Sequence, residues 1–319
     1  MAVLTKVLDT ALDRTVVPGY SKVGYWLRRP AWRSADPAPG ALRGRRAVVT
    51  GAASGLGLAT ASGLARLGAE VHLVVRNLEK GRDALLRIRG DVPGAEVLMH
   101  RGDVADLADV RALAEELTSL GGLDVLVHNA GTMPPERQES VDGHELSFAT
   151  HVLGPVLLTE LLLPSLVAAG SSRVVLVSSG GMYAQRLPVE DPEFLTGEYG
   201  GAAAYARTKR MQVALTPLLQ RRWNPDGVDV HAMHPGWADT PGVVTSLPVF
   251  HKVMGPVLRD AAQGADTVVW LAATEPPPEG GRFWHDRAPR PAHYLPSTRE
   301  SAADREQLLD YVLDALSLT

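Results

Sequence analysis

The chain has 319 residues, 45% of them hydrophobic, a formal net charge of −4 and no cysteine. That is enough apolar sequence for one or two globular domains with a sizeable core. The charge points away from nucleic acid. The lack of cysteine excludes disulfides and thiolate metal sites, and the ten histidines show no H-E-x-x-H spacing, so no metal is expected.

Residues 1–44 differ from the rest of the chain. They carry Lys6, Arg14, Lys22, Arg28, Arg29, Arg33 and Arg43 against Asp9, Asp13 and Asp36, a net +4 that leaves −8 for the remainder. Val3, Leu4, Val7, Leu8, Ala11 and Leu12 repeat at helical spacing, which predicts a short amphipathic helix over residues 2–16. "GYSKVGYWLRRPAWR" mixes aromatic and basic residues without an acid, and "SADPAPG" reads as a linker. A basic, aromatic, amphipathic segment can lie on a membrane surface. It can equally pack on its own domain or on the partner subunit of a homo-oligomer. Because it precedes the first strand, residues 1–34 are expected to be dispensable for chemistry. No secretory signal is legible at the N-terminus, so a cytoplasmic location, with membrane contact through residues 1–34 as the variant, is expected.

From Arg45 the pattern becomes strand, turn, helix, repeated. "RRAVVT", "EVHLVVR", "AEVLMHRGDV", "LDVLVHNAG", "RVVLVSS" and "VDVHAMHPG" read as strands, and "GRFWHDR" as a last one. "LATASGLARLG" and "ADVRALAEELTSLG" are among the intervening helices. Such alternation predicts an α/β fold: one doubly wound parallel sheet over residues 45–295 with helices on both faces. "HVLGPVLLTELLLPSLVAAG" is broken by Thr159, Glu160 and Pro164, and reads as a buried helix rather than a membrane span. Residues 296–319 form a C-terminal helix, with its cap expected at Ser297 or Thr298.

The candidate site starts at "VVTGAASGLGLAT". Gly51, Gly55 and Gly57 lie between the first strand and its helix, where a tight turn and the helix N-terminus can receive a pyrophosphate. Arg76 ends the second strand. An acid there would meet ribose hydroxyls, whereas an arginine can pair with a 2′-phosphate, which favours NADP(H) over NAD(H). Asp103 ends the third strand, where it meets the adenine edge or forms a turn. Asn129 ends the fourth, so these positions converge beyond the carboxyl ends of the strands. Farther on, Tyr205 and Lys209 are four apart and share a helix face. An ammonium beside a phenol lowers its pKa from about 10, which makes the pair a candidate proton donor and acceptor.

"TGAASGLG", "HNAG", "VSSGGMY", "YARTK" and "HPGWADT" together resemble the short-chain dehydrogenases/reductases, over about residues 45–290. "YARTKRMQV", "MHPGWADTPGV" and "AQGADT" look like the group of dehydrogenase/reductase SDR family member 12 and its bacterial relatives. The resemblance implies a Rossmann fold and hydride transfer to or from NADP(H). Tyr205 would then exchange a proton with the substrate oxygen, and Lys209 would lower its pKa and hold the nicotinamide ribose. Of Ser178 and Ser179, the second aligns with the catalytic serine. The implied cofactor set is Gly51, Ser54, Gly55, Leu56, Gly57, Arg76, Asn77, Asp103, Val104, Asn129, Ala130, Gly131, Tyr205, Lys209, Pro235, Gly236, Trp237 and Thr240. His151 stands where the family usually has an asparagine, and is either a proton relay or a packed residue. Ser179 and Tyr205 are farther apart than usual, and the intervening "MYAQRLPVEDPEFLTGEYGG" is expected to wall the substrate pocket. Met182, Tyr183, Trp237, Val243, Leu247 and Phe250 would then surround a small hydrophobic carbonyl or alcohol. The rival reading is a catalytically silent protein that keeps the cofactor fold.

Overall fold

The computed structural model describes residues 9–32, 36–240, 242, 244 and 248–318. Its frame is an eight-stranded sheet in the order β3-β2-β1-β4-β5-β6-β7-β8. The strands are β1 Arg46–Thr50, β2 Glu70–Val75, β3 Val97–Arg101, β4 Val125–His128, β5 Ser172–Val177, β6 Val228–Met233, β7 Arg282–His285 and β8 Ala288–Pro289. β1 to β7 run parallel, and β8 folds back antiparallel on β7. The central strands are continuous apolar runs because both of their faces are covered.

The helices divide between those faces. α1 Val16–Tyr20 and α2 Lys22–Trp32 lie in the N-terminal arm. Then come α3 Gly55–Arg66, α4 Leu78–Asp91, α5 Leu107–Thr118, α6 Leu146–Ala168, α7 Gly201–Trp223, α8 Pro248–Met254, α9 Ala261–Ala273 and α10 Ala302–Ala315. Leu64, Ile88 and Leu271 of α3, α4 and α9 enter one core. Leu113, Leu157, Leu215 and Leu308 of α5, α6, α7 and α10 enter the other. Among the described residues, α6 alone is long and apolar enough to cross a membrane; 67% of its apolar window is buried inside the protein, as the broken run predicted. The strand order reverses between β1 and β4, which opens a crevice at their carboxyl ends.

Two expectations change. The last helix starts at Ala302, not near Thr298: Ser301 and Asp304 form a reciprocal capping box, and Pro296–Thr298 is a separate 3-10 turn. The "S-A-A-D" step carries the physical signal for this start. The inserted stretch, residues 182–201, does not wall the cleft, which meets the chain only at its two ends, Gly181 and Ala202. Its Glu193 is buried instead, accepting from the Glu145 N–H (2.9 Å) and the Tyr311 hydroxyl (2.7 Å) and pairing with His144 Nδ1 (2.9 Å). Arg207 stacks on Phe194 at 4.1 Å.

For the arm, one of the open alternatives holds. Val3, Leu4, Val7 and Leu8 lie outside the described residues, but residues 9–32 pack on their own domain. Tyr20 is buried with its ring edge-on to His234, His285 and Trp237. Arg28 donates to Asp286 Oδ2 (2.7 Å), Asp9 Oδ1 (2.7 Å) and Gly19 O (2.9 Å). Arg259 reaches the same carboxylate at 2.6 and 2.8 Å and the same Gly19 carbonyl at 3.1 Å. The Trp237 N–H donates to Tyr20 O at 2.8 Å, so the arm holds a segment of the expected site rather than standing apart from it.

Candidate active site

The crevice is a cleft of about 660 Å³. Every residue of the expected cofactor set lines it, together with Ser179. Gly51 and Gly55 have positive φ, +66° and +55°, a backbone open to glycine at little cost. At Gly57 a Cβ would lie 2.3 Å from Gly51 O and 2.5 Å from Asn129 Nδ2. Asn129 braces the turn, donating from Nδ2 to Thr50 O (3.0 Å) and Gly51 O (3.3 Å). The N-cap Ser54 makes no side-chain cap bond, so the first-turn N–H groups of α3 face the cleft without it. A positively polarised helix start above a turn with no room for a side chain at Gly51 or Gly57 fits a pyrophosphate.

At the other end stand Arg76 and Asp103, whose side chains approach to 3.6 Å. The Arg76 side chain is 64% exposed, so this pair is worth little and leaves the guanidinium available. Asn77 caps α4 by accepting the Lys80 N–H at 2.9 Å, and Lys80 joins Arg76 along the cleft. Lys80 was not among the residues expected from the sequence; its signal was a second cation in the first turn of the helix that Arg76 precedes.

Tyr205 and Lys209 emerge on one face of α7, with Lys209 Nζ 5.5 Å from the phenol ring centre. Ser178 and Ser179 part company here. Ser178 turns inward and donates to Lys209 O at 2.9 Å. Ser179 accepts from the Gly181 N–H at 3.3 Å and stands beside Tyr205 in the cleft. Burial raises the Tyr205 phenol above its ordinary value, and the neighbouring Ser179 hydroxyl draws it back. Lys209 Nζ donates to Val177 O at 2.8 Å and Gln212 Oε1 at 3.2 Å. Burial lowers its pKa to about 7.

That depression has a stability consequence. Between about 7 and the ordinary 10.5 Lys209 binds a proton in the unfolded chain but not in the folded one. Stability through this group therefore rises with pH across that window, by up to about 1.4 kcal/mol per unit. Lys209→Met is expected to remove this rise, as measured by urea unfolding at a series of pH values. An unchanged slope would place the Lys209 pKa elsewhere.

His151 does not line the cleft; it lies behind it, fully buried. α6 widens into a π turn over Ala149–Leu153, and the ring sits edge-on to Tyr205 at 5.3 Å. Its Nε2 accepts the Thr132 N–H at 3.0 Å, and its Nδ1 lies 2.8 Å from Thr208 Oγ1. Burial, with the Lys209 charge, holds its pKa well below the ordinary value. The imidazole is thus neutral with both nitrogens engaged, a strut between the β4 loop and α7. Of the expected pocket residues, Trp237 and Phe250 line the cleft and meet edge-to-face at 5.2 Å. Met182 and Tyr183 are core residues, and Val243 and Leu247 lie outside the described residues. Thr132, Met133 and Ala202, not singled out in the sequence, line the cleft as well.

A family model described as short chain dehydrogenase matches residues 45–247. Dehydrogenase/reductase SDR family member 12 of Bos taurus is 41% identical over 86% of this chain and 86% of its own length. Retinol dehydrogenase 12 of Homo sapiens is 34% identical over 77% and 78%. A solved protein of Mycobacterium Paratuberculosis superposes with a TM-score of 0.70 at 29% identity, covering 88% of this chain and 98% of that one. A structure described as an NAD(P) dependent gluconate 5-dehydrogenase from Beutenbergia cavernae with bound NADP gives 0.61 at 28% identity, covering 74% and 92%.

Proposed function

Because the chain belongs to the short chain dehydrogenase family, we propose that it is an NADP(H)-dependent oxidoreductase interconverting a hydrophobic aldehyde or ketone and its alcohol. The observation that carries this reading is the meeting of Ser179, Tyr205 and Lys209 in the cleft that begins at the glycine turn. The turn and the start of α3 would hold the pyrophosphate, Arg76 and Lys80 a 2′-phosphate, and Lys209 the nicotinamide ribose. Bound there, the nicotinamide supplies or takes the hydride. Tyr205 gives its hydroxyl proton to the substrate oxygen in reduction and regains one in oxidation. Ser179 hydrogen-bonds the same oxygen and steadies the phenolate that forms. Trp237, Phe250 and Met133 give the substrate end an apolar surface, which favours bulky apolar carbonyls. Purified protein, NADPH and a panel of hydrophobic aldehydes and ketones test the reading by loss of NADPH absorbance. No turnover of any of them, with NADPH bound, would favour the silent cofactor-binding protein.

The preference for NADPH over NADH rests on Arg76, since a charge-assisted bond to a phosphate is stronger than a neutral one. Arg76→Asp is expected to abolish or reverse the preference, read as the ratio of the two dissociation constants. Equal affinity of the parent for both cofactors would remove the NADP assignment. We place the protein in the cytoplasm, with peripheral membrane contact on the outer face of the arm. There Val16, Val17, Val23, Trp26 and Leu27 are exposed beside Lys22. Apolar and basic groups together suit an anionic interface, and co-sedimentation with anionic vesicles, absent with neutral ones, tests the contact.

A further inference from the structure

Gln212 lies one turn beyond Lys209 on α7 and is buried. Its amide spans two elements. Oε1 accepts from Lys209 Nζ at 3.2 Å, and Nε2 donates to the His151 carbonyl at 2.8 Å. The donor at one end and the carbonyl at the other fix which way the amide faces. The acceptor at His151 lies within the π turn of α6, a widened turn of the kind found at functional sites. Nζ also donates to Val177 O at 2.8 Å. Lys209 is thus held from β5 on one side and, through Gln212, from α6 on the other.

We propose that Gln212 is the positioning residue for Lys209: it ties the lysine nitrogen to the π turn of α6 and keeps it on the cleft side, facing Tyr205. This rests on the reading of Lys209 as part of the reaction site. The geometry has three consequences. Gln212 supplies an oxygen to a lysine nitrogen that has lost its water, favouring the ammonium. It seals the inner side of Lys209 with an amide that can neither take nor release a proton at neutral pH, so proton exchange with solvent runs through the cleft. It also makes the place of Lys209 depend on the same π turn that sets His151 against the Thr132 loop and Thr208.

The groups facing Lys209 are few. Tyr205 is on its own helix, and His151 on α6 is neutral. β5 presents the Val177 carbonyl, and Ser178 the hydroxyl that accompanies the Lys209 carbonyl. No carboxylate pairs with it among the described residues, so a change of charge at Gln212 has nothing to compensate it.

The experiment reads Lys209 directly. The chain has only five lysines, Lys6, Lys22, Lys80, Lys209 and Lys252, so isotope-labelled lysine gives few side-chain resonances. Lys209 is the one lost in Lys209→Met. In the parent its titration midpoint is expected at about 7. Gln212→Glu keeps the volume and places a carboxylate against the ammonium, raising the midpoint by about one unit or more. Gln212→Met fills the space without a comparable acceptor and is expected to lower it. With an active substrate, Gln212→Met should lower kcat by about tenfold with a smaller change in KM, and Gln212→Glu should shift the pH profile in the direction of the lysine midpoint. In the parent, the Gln212 side-chain amide protons should exchange slowly with solvent. A midpoint unmoved in folded Gln212→Glu and Gln212→Met, or rapid exchange of the parent amide, overturns the proposal. Absence of any turnover leaves the titration readable, and so counts against the oxidoreductase reading alone.

Discussion

Replacing Tyr205 with phenylalanine is expected to lower turnover by about 10²–10⁴-fold while NADPH affinity stays within a few-fold of the parent. The ring keeps its edge-on contact with His151, and the helix face that carries Lys209 is unchanged. Only the hydroxyl beside Ser179 is lost. The remaining rate measures what binding and Ser179 supply without a proton donor. Ser179→Ala should fall between parent and Tyr205→Phe, because a water can replace a hydroxyl that donates a hydrogen bond but not one that donates the proton. Stopped-flow reduction with saturating NADPH separates these from binding defects. A Tyr205→Phe enzyme that keeps most of its rate would end the assignment of Tyr205 as proton donor.

The second large effect concerns stability. Asp286 is buried and balances two guanidiniums, those of Arg28 and Arg259. Burial alone would push its carboxyl up, but Arg259 and Arg28 hold it below the ordinary value. Asp286→Asn keeps the shape and suits the left-handed backbone there, φ +51°, because asparagine tolerates that region as aspartate does. It removes the carboxylate that the two guanidiniums share, leaving Arg28 with the Asp9 carboxylate alone and Arg259 with backbone carbonyls, and breaking a buried pair in this way costs about 3–5 kcal/mol. Urea unfolding is expected to show that loss, and NADPH affinity to fall as well, because Arg259 also donates to Pro235 O (3.3 Å) beside the cleft. A loss under about 1 kcal/mol, the scale of an exposed pair, would mean that water reaches this cluster.

What the sequence made legible was local. The glycine turn, the apolar strands and the Tyr205–Lys209 step are read over a few residues, because helix and strand periods and the needs of a tight turn act at that range. Their placement around one cleft came from the alternation of strands and helices. What stayed hidden was non-local. Nothing near Arg28 announces that its carboxylate partner is Asp286, and nothing near Glu193 announces Tyr311, so the arm's place stayed open between its own domain, a partner and a membrane, and the insert was given the wrong neighbours. The state of His151 was hidden for the same reason: whether an imidazole can take up a proton depends on Thr132 and Thr208, which the fold brings to it. The Ser301 capping box is local and legible, but Ser297 and Thr298 offer competing caps a few residues earlier.

The closure between arm and body also sets an order of events during synthesis. Arg28 and Asp286 are 258 residues apart in the chain, and Asp9 and Arg290 are 281 apart. At about 5–20 residues per second on a ribosome, the arm is made first and waits roughly 15–50 s for its partners. Over that interval Arg28 and Asp9 lack their partners Asp286 and Arg290. Docking of the arm, which needs Asp286 and Arg290, is therefore expected to be among the last steps. A nascent chain arrested before residue 286 should therefore carry a protease-sensitive N-terminus on an otherwise folding body, and release past residue 290 should protect it.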